Sequence, residues 1–257
     1  YIPHAKIAGA KPVTYRLSHE HEFMPDMEEI KSLITPKTRG IVVNTPSNPT
    51  GAVLGEAEIK AIVDLCMDHD LVLISDEVYD EIIYTERHHS FLGRYDKVVY
   101  INSFSKTYAM TGWRLGYIIS NEEYINQLIK MHYYTVACPP APIQYAALEA
   151  LRHCHDYIRN MVKEFRKRRD YIVKRLNSMH GWDCLTPKGT FYVFPSYSFD
   201  MESTKLALHF WKHGVITTPG TAFGDNGEGH IRFSYANSME NIEKGMNRIE
   251  RALEVLQ

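Results

Sequence analysis

The chain has 257 residues, 44% apolar and 23% charged, with a formal net charge of −2. Those proportions are ordinary for a globular protein, and the length suits one large domain or two smaller ones. The near-neutral balance offers no basic excess for nucleic acid or an anionic membrane, and no apolar run approaches a membrane span. Residues 1–6 lack the apolar core of a secretion signal. Cys66, Cys138, Cys154 and Cys184 lie far apart with no C-x-x-C spacing, which excludes a zinc ribbon or redox motif and suits a reducing cytosol.

In chain order, Ala5–Ala10 reads as a helix end, with Gly9 as its cap and Pro12 preventing continuation. Val13–Leu17 reads as a short strand and Met27–Ile34 as a helix. Ile41–Val43 is an apolar run closed by the turn Asn44-Thr45-Pro46-Ser47-Asn48-Pro49-Thr50-Gly51. Glu56–His69 is a helix with Ile59, Ile62, Val63 and Cys66 on one face. Leu71–Ile74 lacks polar alternation, as expected of a strand buried on both faces. Val98–Ile101 and Gly116–Ile119 are further strands. Such alternation predicts an α/β fold with a mainly parallel sheet, whose ligands sit at the carboxyl ends of the strands.

Beyond Pro139-Pro140 the pattern changes. Ala141 to about Asn177 is largely helical. Then come Phe191–Phe194, a helix near Thr204–His213, strands near Val215–Thr217 and Ile231–Ser234, and a last helix over Met239–Leu256. We read residues 1–168 as part of a large domain and 169–257 as a smaller α+β domain.

Four local patterns carry chemistry. Asn48-Pro49-Thr50-Gly51 follows the first core strand, Ser75-Asp76-Glu77-Val78-Tyr79 the second, and Ser103-Phe104-Ser105-Lys106 the third, with Arg114 eight residues beyond Lys106. Arg232 lies in His230-Ile231-Arg232-Phe233-Ser234-Tyr235. A lysine at a strand exit, flanked by hydroxyls and an arginine, suggests a covalent amine beside a phosphate pocket. Together these patterns resemble the class I/II aminotransferases of the fold-type-I enzymes that use pyridoxal 5′-phosphate (PLP). The likeness extends to Pro187–Tyr192 and Pro219–Gly224 and covers nearly the whole chain.

The resemblance implies a role for each residue. Lys106 would hold PLP as a Schiff base and move the substrate Cα proton. Asp76 would pair with the pyridine nitrogen, and Tyr79 and Asn48 would bond the phenolic oxygen. Ser103 and Arg114 would hold the phosphate. Arg232, with Asn48, would hold the substrate carboxylate, and Phe191 would stand near the substrate. The family pattern also implies a cis Asn48–Pro49 bond.

Each residue type has a plainer reading too. Asp76 suits a helix N-cap, Arg114 an ion pair, Asn48-Pro49 an ordinary turn and Phe191 the core. Arg232, β-like and partly buried, would need an anionic partner. Glu77 and Asp80 read as structural or solvated, Arg166–Arg169 as a solvated helix face, and Tyr133-Tyr134 as packing or a dimer interface. His19-Glu20-His21 and His153-Cys154-His155 lack metal-ligand spacing. No metal site is expected, and no dinucleotide or Walker loop is present.

The resemblance also places a phosphate loop and a ring-stacking aromatic before Tyr1. It therefore predicts a type I PLP-transferase fold incomplete at its N-terminal side, and weak cofactor binding by these residues alone. The expected activity is amino transfer between an α-amino acid and a 2-oxo acid, with aspartate/2-oxoglutarate first and aromatic or alanine donors next. A β-lyase on the same residues, a sensing module and an inactive remnant remain open alternatives. A cytoplasmic homodimer without nucleic-acid or membrane partners is the expected setting.

Overall fold

The computed structural model describes residues 1–85 and 87–256. Its main sheet has the order β1 (Gly40–Asn44), β2 (Val72–Asp76), β3 (Val98–Ser103) and β4 (Gly116–Ile119). The first three strands are parallel, and β4 returns antiparallel to β3. Register sets Asn44 opposite Asp76, and Asp76 opposite Ile101, so three chemistry-bearing turns leave the sheet from one edge.

Helix α3 (Glu56–Asp68) crosses from β1 to β2 and buries Ile59, Ile62, Val63, Leu65 and Cys66 against Ile41, Val43, Leu71 and Leu73. The predicted face is therefore the packed one. β2 alternates between buried and half-buried positions, so it is less enclosed than its apolar run suggests. All four residues of β4 are exposed, with Tyr117, Ile118 and Ile119 at 38%, 42% and 41%.

Val13–Leu17 forms no strand. Its bonds go elsewhere: the Arg16 amide donates to the Glu29 carboxylate, and the Tyr15 hydroxyl donates to the Val42 carbonyl at 3.4 Å. The preceding helix, α1, spans Ile2–Ile7, and Gly9 after it has φ 76°, the left-handed conformation expected of a terminating glycine. Helix α2 (Met27–Leu33) is capped by the Asp26 side chain.

Helix α5 (Glu122–Val136), capped by Asn121, was not anticipated. Ile125, Leu128 and Ile129 recur there at helical spacing, so the signal was in the sequence, yet much of the helix's apolar surface is exposed, with Ile129 at 60%. The predicted stretch 141–177 is two helices, α6 (Ala141–His153) and α7 (His155–Asn177), separated at Cys154.

α7 packs on a second core with α8 (Ser203–Lys212), α9 (Met239–Glu254) and short antiparallel strands. Among the strands, β5 (Trp182–Asp183) pairs with β7 (Ser196–Tyr197). β9 (Ile231–Ser234) lies between β6 (Tyr192–Val193) and β8 (Thr218–Pro219), so the strand expected at 215–217 begins three residues later, just past that stretch. Tyr79, Ile82 and Tyr84, from the loop after β2, insert into this second core. That insertion brings the sheet edge and β9 to one place.

Candidate active site

Lys106 sits on α4 (Phe104–Thr107), a single turn that begins where β3 ends. The Ser103 hydroxyl accepts the Ser105 amide at 2.9 Å and so caps the turn that carries the lysine. The Lys106 ammonium is 5.8 Å from the Tyr79 ring centroid and 5.9 Å from that of Phe191. Among the described residues it forms no ion pair.

Asp76 ends β2. One carboxylate oxygen accepts the Val78 amide at 3.3 Å, and the other accepts the Tyr1 hydroxyl. Burial raises its pKa, and the neighbouring Glu77 charge adds to this, while the Val78 amide and Lys106 act against it. The local hydrogen bond makes Asp76 resemble a cap, yet its titration already feels Lys106.

Tyr79 is buried, with its hydroxyl 3.2 Å from that of Tyr192. Burial pushes the phenol well above its ordinary value, and Tyr192 adds to the shift. Arg232 lowers it and Asp76 raises it, which places all three groups in one electrostatic neighbourhood.

Asn48 lies in the β1 turn, and both Asn48–Pro49 and Thr45–Pro46 are cis. The first agrees with expectation; the second had no signal in the sequence. The Asn44 side chain is a residue that sequence reasoning missed. It accepts the Asn48 amide at 2.8 Å and donates to the Asp76 carbonyl at 3.0 Å, joining two functional turns. Its place at the strand terminus, four residues before Asn48, was the available clue.

Arg232 projects from β9 onto Asn48. It donates to the Asn48 side-chain oxygen at 2.8 Å and to the Thr218 hydroxyl at 3.1 Å. Tyr192 and Phe223 lie against it, their ring centroids 4.4 and 4.9 Å from the guanidinium carbon. Its Nε–H is enclosed and has no partner, and no carboxylate pairs with it among the described residues. The anionic partner expected from the sequence is thus not an acidic side chain of these residues; neutral amide and hydroxyl oxygens take its place.

The structure brings Lys106, Asp76, Tyr79, Asn48, Phe191 and Arg232 together. Arg114 is exposed, has φ 55°, and donates to the Thr111 carbonyl at 2.8 Å, while the residues after it pair back onto the lysine turn, Leu115 with Phe104 and Gly116 with Ser103. No bond joins it to Ser103 among the described residues.

Of the plainer expectations, two resolve to one of their alternatives and one needs correction. Glu77 is structural rather than solvated: it is fully buried, accepting Ser75 Oγ at 2.6 Å and the Phe91 amide at 3.0 Å, with His88 Nε2 also at 2.6 Å. Burial pushes its carboxyl up, but those hydrogen bonds together outweigh burial and hold it below the usual range. Arg169 does not belong to a solvated face: its side chain is 12% exposed, stacks 4.5 Å from the Tyr84 ring and bonds the Pro187 carbonyl. Tyr133 and Tyr134 contact each other edge to face and are 64% and 85% exposed, so they are not packed within this chain. Asp80, like Glu77, is structural, accepting from Asn102 at 2.7 Å.

Residues 1–249 match the family described as Aminotransferase class I and II. The chain belongs to that family. Among similar aminotransferases is the aromatic-amino-acid aminotransferase 2 of Thermococcus litoralis, 40% identical, with 98% of this chain and 67% of the relative covered. An aspartate aminotransferase of Pyrococcus horikoshii is 42% identical over 99% of this chain and 66% of its own length. The solved aromatic aminotransferase of Pyrococcus horikoshii superposes with a TM-score of 0.95 at 40% identity, covering 99% of this chain and 70% of the other. An aspartate aminotransferase variant of Thermus thermophilus gives 0.93 at 33% identity, covering 98% and 70%. The chain thus spans about two thirds of the length of these aminotransferases. The likeness supports a type I PLP-transferase fold, represented here by part of its sheet and the smaller α+β unit.

Proposed function

We propose that this chain serves amino transfer between an α-amino acid and a 2-oxo acid, with PLP as the group it holds. The observation that carries the reading is Arg232: a half-buried guanidinium, flanked by two aromatic rings, with an unpartnered Nε–H and no carboxylate partner among the described residues. Such a group fits a planar carboxylate ligand, which it can meet with two parallel N–H donors.

The donor set also fits PLP. A primary amine, a carboxylate at the next strand exit and a buried phenol share one neighbourhood, as an aldehyde, a pyridine nitrogen and a phenolic oxygen require. When bound, PLP supplies the carbonyl that takes the amino nitrogen and a ring that accepts electron density.

This chain's residues would then act as follows. Asp76 holds the ring nitrogen in its protonated form, and Tyr79 and Asn48 bond the phenolic oxygen. Ser103 and Arg114 hold the phosphate, and Arg232 orients the substrate carboxylate. Lys106 Nζ takes the proton from the substrate Cα, and Phe191 shields that amine on one side. Fixing the carboxylate while the amine waits nearby is the proximity contribution to the rate.

For the donor, aspartate is our first choice and an aromatic amino acid the second. The relatives carry both names, and a Thermus aspartate aminotransferase was solved with maleate, a dicarboxylate. Exposed Tyr133 and Tyr134 on α5 support a homodimer. No helix among the described residues is long and apolar enough to cross a membrane, and we place the protein in the cytoplasm.

The test is the absorbance spectrum of the chain with added PLP, before and after borohydride, for wild type and Lys106→Ala. A reducible chromophore confined to wild type is expected. A chromophore of equal intensity in the variant would remove Lys106 from its assigned role.

A further inference from the structure

Thr190 is fully buried and has φ 62°, a left-handed conformation that a β-branched residue seldom adopts. The surroundings hold it there through each of its polar groups. Its amide donates to the Ile82 carbonyl at 2.8 Å, and its hydroxyl oxygen accepts the Tyr192 amide at 3.2 Å. Its carbonyl accepts the Tyr84 hydroxyl at 2.6 Å and the Tyr235 hydroxyl at 3.1 Å. The two phenols are 3.1 Å apart, and burial holds both well above their ordinary pKa, so both stay protonated donors. Arg169 stacks on the Tyr84 ring and ties the Pro187 carbonyl.

This node joins the loop after β2 to the segment before β6. The next residue is Phe191, whose ring meets Tyr79 at 5.5 Å and Lys106 at 5.9 Å. Strain at a residue so fully satisfied means that the fold specifies where the following side chain points.

We propose that Thr190, its carbonyl clamped by Tyr84 and Tyr235, is the positioning joint that holds Phe191 over the Lys106 amine. Through Phe191 it limits access to that amine and sets how the amino donor is received, a function that rests on the amino-transfer reading. Tyr84 and Tyr235 touch neither Lys106 nor Arg232 among the described contacts, and their hydroxyls act through Thr190, while the Tyr235 amide separately donates to the Phe191 carbonyl at 3.0 Å and is kept in Y235F.

The experiment uses the 257-residue chain as wild type, Y84F, Y235F, the Y84F/Y235F pair, T190G and F191A, each checked for folding by circular dichroism. Reductive methylation of Lys106 with formaldehyde and cyanoborohydride is followed by peptide mass spectrometry, with exposed Lys60 as the internal reference. F191A, which removes the shielding ring, and the tyrosine pair, which removes both hydrogen bonds to the Thr190 carbonyl, are expected to raise the Lys106/Lys60 labelling ratio about fivefold or more. T190G is expected to keep the wild-type ratio, because glycine retains the carbonyl and accepts the positive φ without strain.

A folded tyrosine pair with the wild-type ratio overturns the proposal, as does a T190G ratio as high as the pair's. If the pair does not fold, the single variants decide by the same ratio. A further readout is the split between KM and kcat: the pair should raise KM for the amino donor more than it lowers kcat. Labelling that changes as expected, in a chain that neither turns over an amino acid nor is protected by one, leaves the joint standing and removes the amino-transfer reading.

Discussion

Replacing Arg232 with methionine separates a substrate-binding cation from a structural one. Methionine keeps an apolar stem between Tyr192 and Phe223 and removes the charge and every donor. A carboxylate that meets the remaining N–H on each of Nη1 and Nη2 gains two charge-assisted hydrogen bonds, each worth roughly 1.5–3 kcal/mol. Their loss removes about 3–6 kcal/mol, which is about a hundredfold to ten-thousandfold in kcat/KM.

Stability responds differently. The variant gives up bonds to Asn48 and Thr218 and two ring contacts, but it also relieves the desolvation of a guanidinium that has no carboxylate partner among the described residues. These effects oppose each other, and the net change should stay within about 2 kcal/mol. Initial rates of amino transfer from aspartate and phenylalanine, calorimetric binding of a dicarboxylate, and urea unfolding provide the three measurements. Arg232→Lys should fall between wild type and Arg232→Met, since lysine keeps the charge and loses the fork. A methionine variant that loses more than about 3 kcal/mol of stability, a loss typical of breaking a buried ion pair, but reacts with near-normal kcat/KM would refute the reasoning.

Asp76→Asn should weaken PLP binding, read by absorbance titration, without loss of fold stability at neutral pH. Burial raises the folded pKa of Asp76, so the stability linked to its proton is present below the unfolded value of 3.8 and lost as pH rises through the folded one. Asparagine avoids that loss, and its advantage should vanish in acid. Glu77→Gln should cost about 2–3 kcal/mol in urea unfolding at neutral pH, because an amide donor now faces the donors Ser75, His88 and Phe91 N–H. Here the folded pKa is depressed, so wild type loses its advantage as pH falls below 4.5 through the folded value, and the gap should close there. Gly51→Ala should destabilise by about 2–4 kcal/mol: φ is 70°, and a Cβ would lie 2.3 Å from Pro187 Cβ and 3.0 Å from the Gly189 carbonyl. Reduced thermal stability would appear first as loosening of the 187–190 segment, measurable by hydrogen exchange.

Much of the site could be read from the chain because its residues follow strands. Asn48, Asp76 and Lys106 each come within a few residues of an apolar run, and parallel pairing delivers all three to one edge. The order of patterns therefore carried spatial information. Arg232 was legible from its own motif, but its neutral partners were not, because Asn48 and Thr218 come from distant segments.

Charge alone misled for Arg169 and left Glu77 open between a structural and a solvated role. Their burial depends on bonds with His88 and Pro187, which no local periodicity reveals. Thr190 gave no signal either, since threonine is ordinarily a strand residue and its left-handed backbone is imposed by tertiary bonds. Val13–Leu17 failed for the converse reason: a strand is an interaction, and local composition cannot supply a partner.

The exposed strand β4 bears on how this chain behaves as a material. Gly116–Ile119 forms one margin of the sheet, with three large apolar side chains in solvent and no lysine, proline or bulge to blunt it. Bare margins of this kind are templates for further backbone pairing. The purified chain should therefore self-associate in proportion to its concentration, and Ile118→Lys should delay turbidity.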